Sequence, residues 1–255
     1  MNNTSNKKLI KPLVIGHRGS SGKKLENTMS AFEQAHLDHA DGIELDTFLT
    51  ADYKLIVFHD QNTKRLSEAQ IDLTKANWED IQNIKLKNNE SISLLEDVLS
   101  EYLNKFSWIN IELKPLHPKS KMFVEVLMHV LKFQSHTERI LISSSSLSLL
   151  NRVSKRLPDI ALGLVTTSIP QLFLRKVFYP HLPLTTINPD QNLLKKNWFW
   201  KLVQPKEKIW VWNAETEESW RNCLNHQVQA IITDHPEKLI SYLKNPDFVF
   251  ENHHD

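Results

Sequence analysis

The sequence contains few cysteines and few glycines. Among its 255 residues are one cysteine, Cys223, and five glycines. A single cysteine excludes an internal disulfide and is typical of a protein from a reducing compartment. Three of the glycines, Gly16, Gly19 and Gly22, lie in one short segment, which indicates unusual backbone angles or a close approach to a ligand there.

The chain also lacks long apolar runs and a strong net charge. No stretch is apolar enough to span a bilayer, and the N-terminal lysines are not followed by the apolar core of an export signal, so we expect a cytoplasmic protein without stable membrane insertion. With 31 Lys and Arg against 30 Asp and Glu, the formal net charge is +1. A nearly neutral chain has no overall field for nucleic acid, so any attraction of an anion must be local. We therefore expect a small-molecule ligand and no nucleic-acid partner, and the composition leaves the oligomeric state open.

Short apolar runs alternate with longer stretches of helical periodicity, which is typical of βα units and a mainly parallel sheet. Eight runs qualify as core strands, at 13–17, 42–46, 108–113, 140–144, 160–165, 184–187, 209–212 and 230–233. Helical stretches lie between them, for example at 28–40 and 120–133. Eight such units predict the α/β class and a TIM barrel that forms one domain over residues 1–255.

One further apolar run, at 55–58, follows the second strand too closely for a parallel crossover. It should fold back on that strand as a hairpin, and a turn centred near Asp52 and Tyr53 would place Asp46 opposite His59. Residues 61–105 are polar and weakly periodic apart from a helical stretch at 94–103. We interpret them as a small insertion after the second strand, over the barrel mouth.

Three acidic residues lie at the ends of two predicted neighbouring strands. Glu44 and Asp46 are two residues apart, so their side chains share one face of the strand. Two like charges that converge in this way need a cation. Glu112 alternates with apolar neighbours in the third strand, so it can face the barrel axis and complete the set. An all-oxygen ligand set predicts one divalent cation, Mg²⁺ or Ca²⁺.

Basic and imidazole side chains follow the same strand ends. His17 and Arg18 end the first strand, Lys114 ends the third, and His59 follows the hairpin. The reacting groups of a barrel come from the C-terminal ends of its strands, so we expect these side chains to meet at one mouth. Arg18 and Lys114 can offset the charge of a bound phosphate. Two imidazoles that titrate near neutrality can hold opposite protonation states, as general acid and base catalysis requires.

Eight short motifs are spread in order over almost the whole chain. They are His17-Arg18-Gly19, Glu26-Asn27-Thr28, Ala40-Asp41-Gly42-Ile43-Glu44-Leu45-Asp46, Val57-Phe58-His59-Asp60, Asn110-Ile111-Glu112-Leu113-Lys114, Ile142-Ser143-Ser144, Trp210-Val211-Trp212-Asn213 and Ile231-Ile232-Thr233-Asp234-His235-Pro236. In order and spacing they resemble the motifs of the glycerophosphodiester phosphodiesterase family. The resemblance implies a TIM barrel with a small insertion and the hydrolysis of glycerophosphodiesters to glycerol 3-phosphate and an alcohol. It also implies these roles: cation ligands Glu44, Asp46 and Glu112, catalytic histidines His17 and His59, and phosphate contacts Arg18 and Lys114.

Several positions depart from the family pattern. His39 and Tyr53 stand where a glycine is usual, and Leu25 stands where a proline usually precedes Glu-Asn-Thr. Tyr53 lies in the predicted hairpin turn, so it bears on the type of that turn. Trp212 replaces a smaller residue at the barrel mouth and indicates a reshaped substrate pocket. None of these changes touches the charged set.

Two groups of tryptophans are candidate contact surfaces. Trp210 and Trp212 share one strand face and are candidates for an apolar, substrate-binding wall against the alcohol, with packing inside the barrel as the alternative. The segment Trp198-Phe199-Trp200 is flanked by lysines and resembles an interfacial patch, which leaves a peripheral lipid contact open. Three adjacent aromatics cannot share one helix face, so at least one should pack inward.

Two other functions are compatible with the same residues. A phospholipase D-like enzyme of related barrel architecture would cleave headgroups from lysophospholipids. A non-catalytic barrel would bind a phosphoester ligand without hydrolysing it. The presence of both His17 and His59 beside the acidic set favours an enzyme, because a binding module needs no acid–base pair.

Overall fold

A computed structural model describes residues 11–115 and 120–244, and the structural statements below refer to these ranges. The segment 1–10, to which the expectation about an export signal refers, lies outside the described residues. The strands are β1 (Leu13–His17), β2 (Gly42–Leu49), β3 (Leu55–Val57), β4 (Ser93–Leu94), β5 (Trp108–Leu113), β6 (Ile140–Ser144), β7 (Ala161–Thr166), β8 (Thr186–Pro189), β9 (Lys208–Val211) and β10 (Ala230–Thr233). The α-helices are α1 (Met29–Leu37), α2 (Trp78–Ile81), α3 (Leu95–Tyr102), α4 (Ser120–Lys132), α5 (Leu147–Arg156), α6 (Ile169–Phe178), α7 (Asn197–Leu202), α8 (Glu217–Asn225) and α9 (Pro236–Lys244).

Eight of the strands close into a parallel barrel with helices between them. The ring runs β1, β2, β5, β6, β7, β8, β9 and β10, and β10 pairs with β1 to complete it. The predicted TIM barrel is therefore confirmed. The observed β7, β8 and β9 begin one or two residues away from the predicted positions, and β2 extends beyond its predicted end to Leu49.

Side-chain caps explain where several helices begin. Thr28 precedes α1 and its side chain accepts a hydrogen bond from the amide of Ala31. Ser146 precedes α5 and accepts from the amide of Leu149 in the same way. These caps satisfy amide groups that the first helical turn cannot pair. The helices therefore start directly after the loops that line the barrel mouth.

The apolar core has one layer outside the barrel wall and a smaller one inside it. On β2, Ile43 and Leu45 pack outward against the helices, so Glu44 and Asp46 point to the inside. The inner layer consists of Ile15, Leu141, Trp210, Ala230 and Ile232. The acidic side chains of β2 therefore lie on the same side of the wall as the barrel interior.

The hairpin formed by β2 and β3 is present, but its register differs by one residue from the prediction. Thr47 pairs with Val57, and the amide of Phe58 donates to the carbonyl of Asp46, so Phe58 rather than His59 lies opposite Asp46. The reason is the loop: the amide of Thr50 donates to the carbonyl of Lys54 at 2.9 Å, which leaves three loop residues, 51–53, with Tyr53 in the left-handed region at φ 67°. A left-handed residue is what such a loop requires, and it explains why a glycine is usual at this position.

The predicted insertion divides between two packing environments. Its first part packs with β3 into a separate apolar cluster that includes Ile56, Phe58, Leu66 and Leu73. By contrast, Leu95, Val98 and Leu99 of α3 belong to the main core around the barrel. The helix α3 therefore packs as an outer barrel helix, and most residues of the separate cluster come from the chain segment that connects β3 to β4.

The aromatic segment of α7 does not form a single exposed surface. Phe199 is fully buried, and Trp200 is half-buried and stacks on His226 with 5.0 Å between ring centroids. Trp198 is exposed. This confirms that at least one of the three aromatics packs inward. None of the helices in the described ranges combines the length and apolarity needed to cross a membrane.

A buried ion pair fixes α6 against the segment before β9. Arg175 is 1% exposed, and its Nη2 donates to Oε1 of Glu207, which is also buried. The other carboxylate oxygen of Glu207 accepts from the amide of Gln204 at 2.8 Å. An exposed pair on other helices, Arg156 Nη2 with Glu125 Oε2 at 2.6 Å, provides a natural comparison.

We expect Arg175→Met to lower the free energy of unfolding by about 3–5 kcal/mol, because it leaves the Glu207 carboxylate buried without its partner. The matched control Arg156→Met breaks the exposed pair and should cost at most about 1 kcal/mol. Urea unfolding followed by circular dichroism measures both values. Equal losses for the two variants would contradict a structural role for the buried pair.

Candidate active site

Three carboxylates from two neighbouring strands lie close together inside the barrel mouth. Glu44 and Asp46 point inward from β2, and Glu112 on β5 is the register partner of Asp46. One oxygen from each group lies within 4.8 Å of an oxygen of the other two. Glu44 and Asp46 are buried and Glu112 is half-buried. The structure thus brings together the three acids that the sequence predicts as cation ligands.

The protonation behaviour of this cluster reflects an excess of negative charge. Burial, followed by the charge of Asp46, raises the pKa of Glu44 to about 8. Burial also raises the pKa of Glu112, although Lys114 opposes this shift. Burial disfavours the ionised form of Asp46 as well, but Lys114 and Arg18 outweigh that effect and lower its pKa. A hard divalent cation fits this all-oxygen donor set and would balance the remaining charge.

Asp46 is held by three polar neighbours. Lys114 Nζ lies 2.7 Å from Asp46 Oδ1 and 3.0 Å from Glu112 Oε1. The side-chain amide of Asn27 donates to Asp46 Oδ2 at 2.8 Å, and the amide of Asp46 donates back to Asn27 Oδ1 at 3.3 Å. Arg18 Nε completes the set at 3.2 Å from Asp46 Oδ2. Asp46 Oδ2 has two of these neighbours and Oδ1 has one, so a lone pair of Oδ1 can still coordinate a cation.

Arg18 contacts the cluster through its backbone as well as its side chain. Its amide donates to Glu44 Oε2 at 3.0 Å, and its Nη1 donates to Glu26 Oε1 at 2.7 Å. Gly19, the next residue, has φ 84°, and a Cβ there would lie 2.5 Å from the carbonyl carbon of Ala31. Gly19 therefore has one of the unusual backbone angles that the glycine-rich first loop predicts, and it also packs too closely against Ala31 to carry a side chain.

His17, the last residue of β1, is oriented by an acidic residue from the neighbouring strand end. Its Nδ1 lies 2.7 Å from Oδ1 of Asp234, which follows β10, and its Nε2 lies 4.0 Å from Glu44 Oε2. A carboxylate only accepts hydrogen bonds, so we assign the Nδ1 proton to this bond and leave Nε2 to titrate. Burial lowers the pKa of His17, but the hydrogen bond to Asp234 and the charge of Glu44 outweigh it, so the net shift is upward.

His59 is oriented by a chain of ion pairs that reaches the first loop. His59 Nδ1 lies 2.7 Å from Asp60 Oδ1, and Asp60 Oδ2 accepts from Arg65 Nε at 2.7 Å. Arg65 also donates to both carboxylate oxygens of Glu26, each at 2.7 Å. Glu26 is also the partner of Arg18. Arg65 of the insertion therefore links the predicted catalytic residue His59 to the predicted phosphate contact Arg18.

These groups surround one cavity of about 120 Å³. Its lining residues are His17, Arg18, Glu44, His59, Asn110, Glu112, Lys114, Val165, Asn188, Trp212 and Ile232. Val165, Trp212 and Ile232 form its apolar side. Asn110 Oδ1 and Asn188 Nδ2 are buried and have no hydrogen-bond partner within the described ranges. A cavity that combines such polar atoms with charged groups of both signs suits a small anionic ligand with an apolar or alcohol portion.

Of the two tryptophans predicted as a substrate wall, only Trp212 lines this cavity. Trp210 is 2% exposed and packs edge-on against Trp108 inside the barrel, with 5.5 Å between ring centroids. The expectation for Trp210 is therefore corrected. Two residues along a strand correspond to about 6–7 Å, so Trp210 lies one layer deeper in the barrel than Trp212.

Several residues of the site have no role in the sequence-based expectations. They are Glu26, Asn27, Asp60, Arg65, Asn110, Asn188 and Asp234, which hold or flank the predicted groups. Glu26, Asn27, Asp60, Asn110 and Asp234 belong to the eight motifs, and that membership is the signal that identifies them. Arg65 and Asn188 lie outside the motifs, and only the fold reveals them.

Comparison with known proteins relates this arrangement to one family. Residues 17–238 match the model of the Glycerophosphoryl diester phosphodiesterase family. A glycerophosphodiester phosphodiesterase of Caldanaerobacter subterraneus subsp. tengcongensis is 31% identical over 250 residues, which cover 92% of this chain and 99% of that protein. A human lysophospholipase D is 23% identical over 274 residues, covering 91% of this chain and 86% of that protein.

A solved structure supports the same fold. It is that of an Oleispira antarctica phosphodiesterase in complex with the product sn-glycerol-3-phosphate. It matches with a TM-score of 0.83 and 22% sequence identity, over 92% of this chain and 97% of that chain. The similarity in sequence and in fold thus extends over nearly the whole length of the chain.

We expect Glu44→Gln to stabilise the cation-free protein at pH values above 8. The folded-state pKa of Glu44, about 8, exceeds the ordinary value of 4.5, so protonation of Glu44 favours folding. This contribution is fully present below pH 4.5, declines as the pH rises and is lost above about 8. The uncharged side-chain amide of the variant should raise the free energy of unfolding by roughly 1–3 kcal/mol. In the presence of a chelator, its melting temperature should be several degrees higher than that of the wild type.

The matched control is Glu68→Gln, since Glu68 is exposed. This control should leave the melting temperature nearly unchanged. Added Mg²⁺ or Ca²⁺ should stabilise the wild type more than Glu44→Gln, because the variant loses one charged ligand. A variant that is less stable than the wild type without cation would contradict the charge excess at this cluster.

Proposed function

The chain belongs to the glycerophosphoryl diester phosphodiesterase family, and we propose that it hydrolyses glycerophosphodiesters to glycerol 3-phosphate and an alcohol with a divalent cation as cofactor. The enzyme class is therefore that of the phosphoric diester hydrolases. The proposal depends on one observation above all: two imidazoles, each paired with its own carboxylate, line the same small cavity as the acidic cluster.

The proposed cation ligands are Glu44, Asp46 and Glu112. Their oxygen donors suit Mg²⁺ or Ca²⁺. A cation held there would polarise a non-bridging phosphoryl oxygen and neutralise part of the charge that develops during the reaction. The burial of Glu44 and Asp46 supports this assignment, because these carboxylates are costly to keep ionised without a strong counter-charge.

The proposed phosphate contacts are Arg18 and Lys114. Both line the cavity, and both are held in place by the same acids that would bind the cation. Arg18 offers a planar fork of donors to phosphate oxygens and Lys114 a compact positive charge. In a partly buried site these fixed charges favour the transition state, since they need little rearrangement as negative charge develops.

His17 and His59 are the proposed acid and base. In each ring Nδ1 faces a carboxylate, so Nε2 is the atom available for proton transfer. One Nε2 accepts the proton of the attacking oxygen, and the other donates a proton to the leaving alkoxide as the P–O bond to the alcohol breaks. The attacking oxygen belongs either to water or to the neighbouring glycerol hydroxyl, and the second route passes through a cyclic phosphate. Phosphorus NMR of the products distinguishes the two routes.

The apolar side of the cavity is the proposed place for the glycerol or alcohol portion. Val165, Trp212 and Ile232 form this side, and the indole Nε1 of Trp212 donates to the carbonyl of Asn188 at 3.0 Å, which supports a fixed ring orientation. We further propose that residues 1–255 work as one catalytic domain. Within it, the 61–105 insertion covers one side of the mouth and supports His59 through Arg65.

A lysophospholipid substrate is the second candidate. The observation that favours it is the similarity to a human protein named lysophospholipase D. Release assays with glycerophosphocholine and lysophosphatidylcholine, each with Mg²⁺, Ca²⁺ or a chelator, test both candidates together. Hydrolysis of the first compound with cation and none with chelator supports the proposal. Hydrolysis that survives thorough chelation would rule out the cation, and hydrolysis of lysophosphatidylcholine alone would favour the second candidate.

We expect His17→Ala and His59→Ala each to lower kcat by roughly 10²-fold or more, because each removes one proton-transfer group. The control is His181→Ala, since His181 is exposed and does not line the cavity. Steady-state release of glycerol 3-phosphate measures the effect. A nearly normal rate in either variant would remove that histidine from the mechanism.

We expect the pH dependence of kcat/KM to reflect the hydrogen bond between His17 and Asp234. The hydrogen bond and charge of Asp234 help to raise the pKa of His17 against the effect of burial. Asp234→Asn keeps the shape and removes the charge, so we expect the pKa of His17 to fall and the limb of the kcat/KM profile that reports it to move to lower pH.

NMR titration of the His17 ring protons provides a direct measurement of this shift. The matched control is Asp159→Asn, an exposed aspartate on the surface. This control should leave both the NMR titration and the kcat/KM profile unchanged. An unchanged pKa of His17 in Asp234→Asn would show that Asp234 does not set its protonation.

A further inference from the structure

Most of the large apolar side chains that are exposed in the described residues lie on two neighbouring helices. Of nine such side chains, five are on α6 and α7. They are Phe173 (58% exposed), Leu174 (46%), Val177 (51%) and Phe178 (67%) on α6, and Trp198 (64%) on α7. We call these five residues the α6–α7 patch. Because its five side chains lie on two neighbouring helices, the patch differs from the scattered exposed apolar residues that any protein surface carries.

The pattern along α6 explains why these side chains point outward. Leu172 and Arg175 are the buried residues of this helix and face the barrel. Positions 173, 174, 177 and 178 are related by steps of one, four and five residues, so they cover one contiguous strip of the helix surface. An ordinary surface helix carries polar residues there. The outward surface of α6 therefore carries apolar side chains where a surface helix usually carries polar ones.

The two helices form one continuous surface. Lys176 Nζ on α6 donates to the carbonyl of Lys201 on α7 at 3.2 Å. Lys201 Nζ in turn lies 4.7 Å from the centroid of the Trp198 ring. Lysines thus lie among the apolar side chains and hold Trp198 at the edge of the strip.

The charge around this patch is strongly one-sided. Residues 169–208 contain seven Lys and Arg residues but two acidic residues, Asp190 and Glu207, although the whole chain has a net charge of +1. Arg175 and Glu207 pair with each other in the interior. The six lysines that remain are all exposed: Lys176, Lys195, Lys196, Lys201, Lys206 and Lys208. Among acids from other elements, Glu218 approaches Lys195 at 3.8 Å, between two exposed groups.

We propose that the α6–α7 patch and its lysines form a docking surface for an anionic lipid bilayer. The apolar side chains would enter the boundary between headgroups and acyl chains, and the lysines would contact the anionic headgroups. A second copy of the chain is disfavoured as the occupant, since it would bring six lysines against six lysines.

The two helices of this docking surface follow strands that contribute to the cavity lining. The helix α6 follows β7, which contributes Val165, and α7 follows β8, which contributes Asn188. The proposal concerns binding alone and does not rest on the proposed hydrolysis.

Vesicle co-sedimentation of the full chain tests the proposal. Vesicles of phosphatidylcholine are compared with vesicles that also contain phosphatidylglycerol, at low and high salt. We expect binding to the anionic vesicles that weakens with salt, and little binding to the neutral ones. The double variant Phe178→Ala/Trp198→Ala should lower the partition coefficient by roughly tenfold or more, because it removes two large apolar side chains from the contact. The control Phe133→Ala changes an exposed phenylalanine on another part of the surface and should have no effect.

A charge variant tests the lysines separately. Lys196→Glu/Lys206→Glu should abolish binding to the anionic vesicles, whereas Lys87→Glu/Lys155→Glu makes the same change in net charge at exposed positions elsewhere and should retain it. Circular dichroism and urea unfolding check that each variant is folded. Absence of binding, or binding that survives both patch variants, would overturn the proposal. A dimer in light scattering that the patch variants convert to a monomer would also overturn it and assign the face to a second copy.

Discussion

The convergence of two buried carboxylates and one half-buried carboxylate at one barrel mouth is the constraint on which the candidate site depends. Glu44, Asp46 and Glu112 bring oxygens within 4.8 Å of one another. In this environment ionised groups repel each other and lose solvent, and the raised pKa of Glu44 expresses that cost. Arg18 and Lys114 relieve part of it through direct contacts. The same positive charges and the same demand for a cation make the cavity suitable for a phosphate ester.

Carboxylates also orient the two imidazoles. His17 faces Glu44 on one side and Asp234 on the other, so its protonated form is favoured despite burial. His59 has an equivalent partner in Asp60, which Arg65 of the insertion holds in place. Each ring is thus oriented by an acceptor that leaves the other nitrogen available. The insertion contributes to the site by fixing one of the two imidazoles.

Local patterns predicted the architecture well, and the differences have specific causes. The eight barrel strands follow from alternating apolar runs, because their side chains must meet helices outside and a packed interior within. The hairpin register depends on Tyr53 taking a left-handed angle in a three-residue loop, which shifts the partner of Asp46 by one residue. Trp210 and Trp212 share a face, yet depth along the barrel axis separates their environments, and sequence parity carries no information on depth.

The sequence by itself determined that Glu44, Asp46 and Glu112 share the inner face of the barrel, because strand periodicity and the common direction of parallel strands require it. Only the tertiary structure decided that Asp234 is the partner that orients His17. Asp234 meets His17 across 217 positions of the chain, at the point where the last strand pairs with the first. Such a contact depends on closure of the ring, and no local pattern of residues encodes the distance between two loops that the closed barrel brings together.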